Sequence, residues 1–314
     1  MPERLNDLRM VDPVLSTIAQ GYSNAGMVAD FLFPHVPVEK MKGKVPSFGK
    51  ESFIIRNTDR AIRSASNRIP PSDLNYIEYE TLEHDIETAM DYLEIEEAFN
   101  AQMLEQHLTK ELMDILLLGR EKTAADIAQS ANNYISDLKK VITALNAWDD
   151  YTITTVDPIM DILDGKTAIR QLIGIYPNTM IIGETAYKAL VNHPKVTARV
   201  EFSGLAKVGN KALSELLEIP NIHVGMSVYS TDGETFTDVW TDNVILAYVD
   251  KSDKSRRSEY NPSYGYTFRK KNNPVIDTYE ENGSKIKVIR NTDNYCVKVT
   301  ATDAAYLISD TNHL

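Results

Sequence analysis

The stretch NTDRAIRSASNRIPPSD, residues 57–73, constrains the fold most, because it has few large apolar side chains and cannot bury much surface by itself. The residues on either side of it, 52–57 and 75–79, have extended character. A polar stretch that joins two extended segments is typical of a hairpin. The sequence therefore predicts a long hairpin that projects from the body of the protein.

The predicted hairpin is basic, and the segment that follows it is acidic. Residues 78–97 contain many acids and no lysine or arginine, whereas few acids lie between residues 39 and 68. The basic side chains of the hairpin region are Lys40, Lys42, Lys44, Lys50, Arg56, Arg60, Arg63 and Arg68. With Phe48 and Phe53 they could contact nucleic acid, but the acidic segment beside them favours a protein partner.

The composition is that of an ordinary globular protein, with 43% apolar and 25% charged residues in a chain of 314. The net charge of -12 opposes binding to nucleic acid or to an anionic membrane, because both carry negative charge. No run approaches the ~18 apolar residues of a membrane-spanning helix. We therefore expect a soluble protein that is not exported and has no membrane partner.

The single cysteine, Cys296, cannot form an internal disulfide, which fits a reducing compartment. It alternates with Tyr295, Val297 and Val299 in a strand-like run, so we expect a small core residue and not a nucleophile.

Helical periodicity is clearest in the middle of the chain. Apolar residues at spacings of three and four predict a long helix over residues 93–118, which would span about 39 Å. A second helical pattern starts at Ala124. Asp157 and Pro158 have the residue types of an N-cap and a first helical position, so a further helix is predicted over residues 158–173.

The stretch PNTMIIGETAYKALVNHPKV, residues 177–196, has the order strand, glycine and helix that nucleotide sites also use. It predicts a strand at 179–182 and a helix at 184–192 that is ended by Pro194. Phosphate-binding loops need several glycines and usually a lysine, whereas Glu184 would repel a phosphate here. We therefore predict a structural corner at Gly183 and no nucleotide site.

The rest of the chain is largely extended, and its beginning is an arm. Strands are predicted at 224–229, 238–240, 244–249, 264–269, 286–289 and 295–300, with an Asn-Gly hairpin turn at 281–284. Residues 1–33 have short apolar clusters without a regular period, so we expect an arm that packs only on a borrowed surface. The order arm, hairpin, long helix, mixed region and strands predicts an α+β fold.

The residues that could carry chemistry do not form a known site. Two histidine–glutamate pairs lie at helical spacing but lack further metal ligands, His84 with Glu87 and His107 with Glu111. Turn and N-cap roles account for the acids that could otherwise bind a divalent cation, Asp149, Asp150 and Asp157. No Gly-x-Ser-x-Gly motif occurs, which weakens the case for an enzymatic function without excluding it.

A series of motifs resembles the major capsid proteins of tailed bacteriophages, whose Hong Kong 97-like fold is shared with encapsulins. The motifs are WDD at 148–150, DP at 157–158, PNTMIIGETAYKALVNHPKV at 177–196, VGMSVYSTDG from 224, VWTDNVILAYVD from 239 and PSYGYTFRKKNNPVIDTYEE from 262. Together they cover most of residues 80–310 in the right order.

The resemblance implies an N-terminal arm at residues 1–37 and an extended hairpin loop at 38–84. It further implies a peripheral domain with a long spine helix at 85–147 and 261–314, and an axial domain at 148–260. Such a protein has no cofactor, binds no metal and catalyses no reaction. Copies would assemble through hexamers and pentamers into an icosahedral shell around double-stranded DNA, without sequence-specific contact to it.

The implied partners are further copies of the chain, a scaffolding protein, a portal protein and a decoration protein. Because the chain begins at Met1 almost directly in the arm, we expect the scaffolding protein to be a separate chain. We expect assembly in the cytoplasm of the host bacterium and a final location in the virion.

Within such a shell, we expect hairpin arginines of one copy to contact acids at the start of a neighbour's helix. The residues predicted for this contact are Arg56, Arg60, Arg63 and Arg68 on one side and Glu83, Glu87 and Glu94 on the other. Two alternatives remain open, an encapsulin-like compartment and a soluble α+β enzyme.

Overall fold

The computed structural model describes residues 11–22, 26–47, 55, 57–68, 76–143, 146–153, 155–202, 208–252 and 261–313. Within these residues, helices combine with two five-stranded sheets and two two-stranded sheets. The predicted α+β class is therefore confirmed.

The described helices and strands follow one another in mixed order along the chain. The helices are α1 (Pro13–Gly21), α2 (Ala29–Leu32), α3 (Tyr92–Glu97), α4 (Ala101–Gln129), α5 (Pro158–Ile173), α6 (Glu184–Asn192), α7 (Pro194–Phe202) and α8 (Asn210–Leu217). The strands up to the middle of the chain are β1 (His35–Val38), β2 (Lys42–Pro46), β3 (Tyr76–Glu80), β4 (Leu82–Asp91), β5 (Lys139–Val141), β6 (Thr179–Gly183) and β7 (Asn221–Gly225). The later strands are β8 (Val228–Tyr229), β9 (Thr237–Asp238), β10 (Val244–Ala247), β11 (Gly265–Lys270), β12 (Val275–Glu281), β13 (Ile286–Val299) and β14 (Ala305–Ser309).

The long helix differs from its prediction at both ends. Asn100 caps α4, because its side chain accepts hydrogen bonds from the backbone N–H groups of Gln102 and Met103 at 3.0 and 3.2 Å. A separate capping box at Asp91 and Glu94 makes residues 92–97 the short helix α3. The 29 residues of α4 then continue to Gln129 and include only the start of the second predicted pattern, Ala124 and Ile127, so the helix is about 44 Å long.

The first sheet is built around β13, which α4 covers with the buried side chains of Leu112, Met113 and Leu117. β11 and β12 pair with different parts of β13, β4 pairs with residues 286–295, and β1 adds to β11 in parallel. The two strands predicted at 286–289 and 295–300 are therefore one strand. The polar run between them stays in the strand because pairing satisfies its backbone and Arg269 binds the buried Asp293.

The hairpin between β12 and β13 turns where the Asn-Gly pair predicts it. Its loop has four residues, 282–285, since Glu281 pairs with Ile286. The left-handed position is Lys285, with φ of 54°, and not Gly283. The carbonyl of Lys285 accepts a hydrogen bond from Tyr92 N at 3.2 Å, so a tertiary contact helps to set the turn.

The second sheet has the order β5-β14-β10-β6-β7, and β6 is buried along its whole length. The predicted strand, glycine and helix are confirmed as β6 and α6, and Pro194 opens a further helix, α7, because proline suits a first helical position. A Cβ on Gly183 would lie 1.6 Å from the carbonyl oxygen of Thr241. The glycine therefore allows a close backbone crossing.

The second sheet contains strands from both the predicted axial domain and the predicted peripheral domain. β6, β7 and β10 lie in the segment predicted to be axial, residues 148–260, whereas β5 and β14 come from the segments predicted to be peripheral. The division into arm, hairpin loop, peripheral domain and axial domain stays a prediction.

The arm differs from its prediction, because its described residues pack on their own chain. Helix α1 buries Leu15 and Ala19 against β12 and α4, and the Ser16 hydroxyl bonds to both backbone groups of Ile276. Leu32 and Phe33 lie fully inside a core cluster. The prediction that the arm packs only on a borrowed surface is therefore wrong for residues 11–22 and 26–33, and residues 1–10 and 23–25 lie outside the described residues.

Among the residues that the structure describes, no helix combines the length and apolar character needed to cross a membrane.

Candidate interaction surface

The hairpin begins on a two-stranded ribbon, β2 and β3, that carries ion pairs across its strands. Lys42 binds Glu80 at 2.6 Å and Lys44 binds Glu78 at 2.8 Å. A hydrogen bond and the charge of Lys44 lower the pKa of Glu78. Because both pairs are exposed and contribute little, the ribbon must be held mainly by apolar packing.

That packing joins the ribbon to the first sheet. Val45 and Tyr79 are buried in one cluster with Tyr266 and Phe268, and the rings of Tyr79 and Phe268 stack with centroids 4.6 Å apart. Gly43 leaves room for Tyr79, since a Cβ there would lie 2.7 Å from its ring. The base of the hairpin is therefore fixed to the body.

We call residues 57–68, at the far end of the hairpin, the hairpin tip. Every residue of the hairpin tip is exposed. The Asn67 side-chain amide donates to the carbonyls of Asn57 and Asp59 at 2.9 and 3.1 Å, which closes the tip on itself. Ile62 is 92% exposed. The tip thus has internal hydrogen bonds but buries no side chain on its own chain.

Of the sequence signals for this hairpin, the extended segment predicted at 75–79 is confirmed as β3. The segment predicted at 52–57 lies largely outside the described residues.

Three of the four predicted arginines lie on the hairpin tip, Arg60, Arg63 and Arg68, and Arg56 lies outside the described residues. The three side chains are exposed, and none forms an ion pair with a residue that the structure describes. Their positive charges are therefore available to a partner.

Two of the predicted acids, Glu83 and Glu87, lie on strand β4 and not at a helix start, so that prediction is wrong for them. They share the exposed face of β4 with Asp85, and Glu87 accepts a hydrogen bond from the Tyr279 hydroxyl at 3.0 Å. The opposite face carries Ile86, Met90 and other inward residues. This alternation of period two was the available signal for a strand.

The third acid, Glu94, does lie at a helix start. Its Oε2 accepts a hydrogen bond from Asp91 N at 2.9 Å in the capping box of α3, and its side chain is exposed. Within one copy the structure brings none of the three acids to Arg60, Arg63 or Arg68. A contact between them requires a second copy.

Several of the other residues considered for chemistry have structural roles. His84 stacks on Tyr295 in the first sheet, with ring centroids 4.2 Å apart, and Asp157 caps α5. Cys296 is half-buried in β13, and burial raises the pKa of its thiol. No group of histidine, cysteine and acidic side chains within the described ranges could hold a metal ion.

Sequence reasoning missed a buried attachment that Glu121 makes at the middle of α4. Its Oε1 accepts hydrogen bonds from Val28 N at 2.8 Å and from Trp240 Nε1 at 2.6 Å, and its Oε2 accepts from Ala29 N at 2.9 Å. Burial raises the pKa of Glu121, although these hydrogen bonds oppose the shift. Since its partners lie about a hundred positions away in either direction, no local pattern could reveal this role.

The adjacent residue, Arg120, strengthens the same attachment. It donates to Asp30 at 2.8 Å and lies 2.8 Å from Nε2 of His35. Two consecutive residues of α4 therefore fix residues 28–35 to the body.

Comparison with known proteins gives concordant results. The family described as phage major capsid protein E matches residues 90–276. The chain is 45% identical over 310 residues to the major capsid protein of Burkholderia phage BcepMu, covering 98% of this chain and 99% of that protein.

Two solved structures extend the comparison. A phage-related protein from Bordetella bronchiseptica RB50 is similar with a TM-score of 0.82 at 30% identity, covering 98% of this chain and 99% of that chain. A structure from Mycobacterium phage Che8 has a TM-score of 0.54 at 15% identity, covering 93% and 94% of the two chains. The latter likeness shows the fold alone.

Proposed function

The chain belongs to the phage major capsid protein E family, and we propose that its copies hold one another through the hairpin tip. As a major capsid protein it is a structural component of a phage virion, with the Hong Kong 97-like fold. Its relatives are structural proteins, and we propose no catalytic activity for it. The encapsulin-like alternative is not better supported, because the relatives at 45% and 26% identity are phage major capsid proteins.

The observation that carries the proposal is the contrast between the base and the tip of the hairpin. The base is anchored by Val45 and Tyr79, whereas every residue of the tip is exposed. Such a projection places an exposed, positively charged surface away from its own body. A neighbouring copy that presents acids would cover it.

Charge favours the acids of β4 and α3 as the surface that receives the tip. Arg60, Arg63 and Arg68 would face Glu83, Glu87 and Glu94 of the neighbour. Exposed ion pairs are weak individually, but every copy in a shell repeats them. Because salt screens exposed charges, shell formation should become less favourable as the ionic strength rises.

The direct test is charge reversal at the tip. We expect Arg60→Glu with Arg63→Glu to reduce shell formation strongly, since two attractive contacts per copy become repulsive, while the melting temperature of the unassembled protein stays unchanged. The measurement is the fraction of protein in closed shells, from sedimentation and electron microscopy.

A control with the same change in net charge is Lys188→Glu with Lys211→Glu, two exposed residues of α6 and α8. This control should assemble. Normal shells from the arginine variant would show that the hairpin tip does not hold neighbours by charge.

The finer features of assembly follow from family membership and are proposed on that basis. Copies form hexamers and pentamers of an icosahedral shell with a scaffolding, a portal and a decoration protein as partners, in the cytoplasm of the host bacterium. We propose no sequence-specific contact with the packaged double-stranded DNA, and the net charge of -12 opposes its non-specific adhesion to the wall.

A further inference from the structure

The corner between α3 and α4, residues 92–103, carries apolar side chains that the chain leaves in solvent. Helix α3, described in full, buries none of its residues. Phe99 is fully exposed, Met103 is 65% exposed and Leu93 is half exposed. Single exposed apolar residues are common, but a group of large ones on one corner is typical of an interaction surface.

The α3–α4 corner is also acidic. Glu94, Glu96 and Glu97 are all exposed. Glu94 is used in the capping box, whereas Glu96 and Glu97 form no ion pair with any residue in the described part of the chain. The corner therefore combines an apolar centre with free negative charge beside it.

The hairpin tip has the complementary composition. Ile62 is its large apolar side chain, and Arg60 and Arg63 flank it without partners among the described residues. An apolar anchor surrounded by a charged rim is the usual arrangement of a strong interface contact.

We propose that Ile62 of one copy packs on Phe99 and Met103 of a second copy, with Arg60 and Arg63 facing Glu96 and Glu97. The proposal rests on the proposed function and names the surface that receives the tip. It adds an apolar anchor to the charge contacts, and it replaces the acids of β4 by Glu96 and Glu97 as the partners of Arg60 and Arg63.

The contact is heterologous, because tip and corner are different surfaces. Each copy offers its tip to one neighbour and its corner to another. A pair of copies that share one such contact therefore still has one free tip and one free corner. Repetition of such a contact generates rings or continuing arrays, as a shell requires.

A second exposed apolar surface lies on the ribbon of β8 and β9, where Met226 and Phe236 are exposed. Of its three acids, Asp232 is turned into its own loop, where it accepts hydrogen bonds from Thr235 and from Glu234 N, and Asp238 is only partly exposed, which leaves Glu234 as the exposed acid. The ribbon therefore offers less free negative charge to the arginines than the corner does, and it provides a matched control.

Disulfide trapping tests the contact directly. Ile62→Cys and Phe99→Cys are combined with Cys296→Ser, which removes the native thiol, and the assembled particles are oxidised. We expect a ladder of covalent multimers on a non-reducing gel, because each copy can link to two neighbours. The control pairs Ile62→Cys with Phe236→Cys in the same background and should give no ladder.

A second pair of variants tests the contact without disulfides, and it applies if the variant with Ile62→Cys and Phe99→Cys does not assemble. Phe99→Ser with Met103→Ser should lower the yield of shells at least about tenfold, as expected for an anchor residue, with the melting temperature of the unassembled protein unchanged. Met226→Ser with Phe236→Ser should leave the yield close to that of the unmodified protein.

Each result separates the two proposals. Failure of the unmodified chain to form shells, both alone and together with a scaffolding protein, would overturn the proposed function itself. Shells without the 62–99 ladder, a ladder from the 62–236 pair, or a normal yield from the serine variant of the corner would overturn this contact and leave the shell function standing.

Discussion

Glu121 shows how one residue can join segments that are far apart in sequence. Its carboxylate receives three hydrogen bonds, from Val28, Ala29 and Trp240, inside the protein. Because leaving a single buried donor unpaired costs about 1–3 kcal/mol, this residue stabilises the packing of the arm on the body.

The pKa of Glu121 leads to a prediction about pH. Burial raises it above the unfolded value of about 4.3, so the folded protein holds this proton more strongly than the unfolded chain. The contribution of Glu121 to the free energy of unfolding is therefore greatest below the unfolded pKa, and it falls as the pH rises through the higher folded pKa. Glu121→Gln removes this titration. The free energy of unfolding of the unmodified protein minus that of the variant should therefore fall as the pH rises above about 4.

Urea unfolding of the unassembled proteins at several pH values measures this difference. Glu215→Gln, at an exposed position of α8, is the control for loss of a carboxylate. A difference for Glu121→Gln that stays constant or rises with pH would contradict the role of burial.

At the scale of elements, the sequence predicts best where neighbouring residues decide the structure. Asp157 and Pro158 start α5 as predicted, and the corner at Gly183 forms because apolar residues and one glycine specify it locally. Strand β4 was missed because its acids mask its period of two, and its identity depends on pairing with β13, about two hundred residues away.

The start of α4 depends on a local signal that can be tested. Asn100→Ala removes the acceptor for Gln102 N and Met103 N, so we expect a loss of about 1 kcal/mol in the free energy of unfolding. Asn282→Ala, in the exposed turn before β13, should change the stability less. Equal stability of the Asn100 variant and the unmodified protein in urea would show that the cap does not fix this end of the helix.

At the scale of the whole molecule, composition predicted the hairpin but not what receives it. A segment with little apolar content must project, and that follows from residues 57–73 alone. The receiving surface that we propose belongs to another copy, so it rests on the exposed Phe99 and its acidic neighbours in the folded structure and not on a pattern along one chain. The arm shows the opposite case, since Leu32 and Phe33 find their burial inside the same chain.

One copy is therefore a folded body with an exposed hairpin tip and an exposed α3–α4 corner, and we propose that copies complete one another in a closed shell. Electron microscopy of the purified chain, produced alone and together with a scaffolding protein, tests this most directly. We expect closed shells of uniform size in at least one of the two preparations. Single copies or irregular aggregates in both preparations would contradict it.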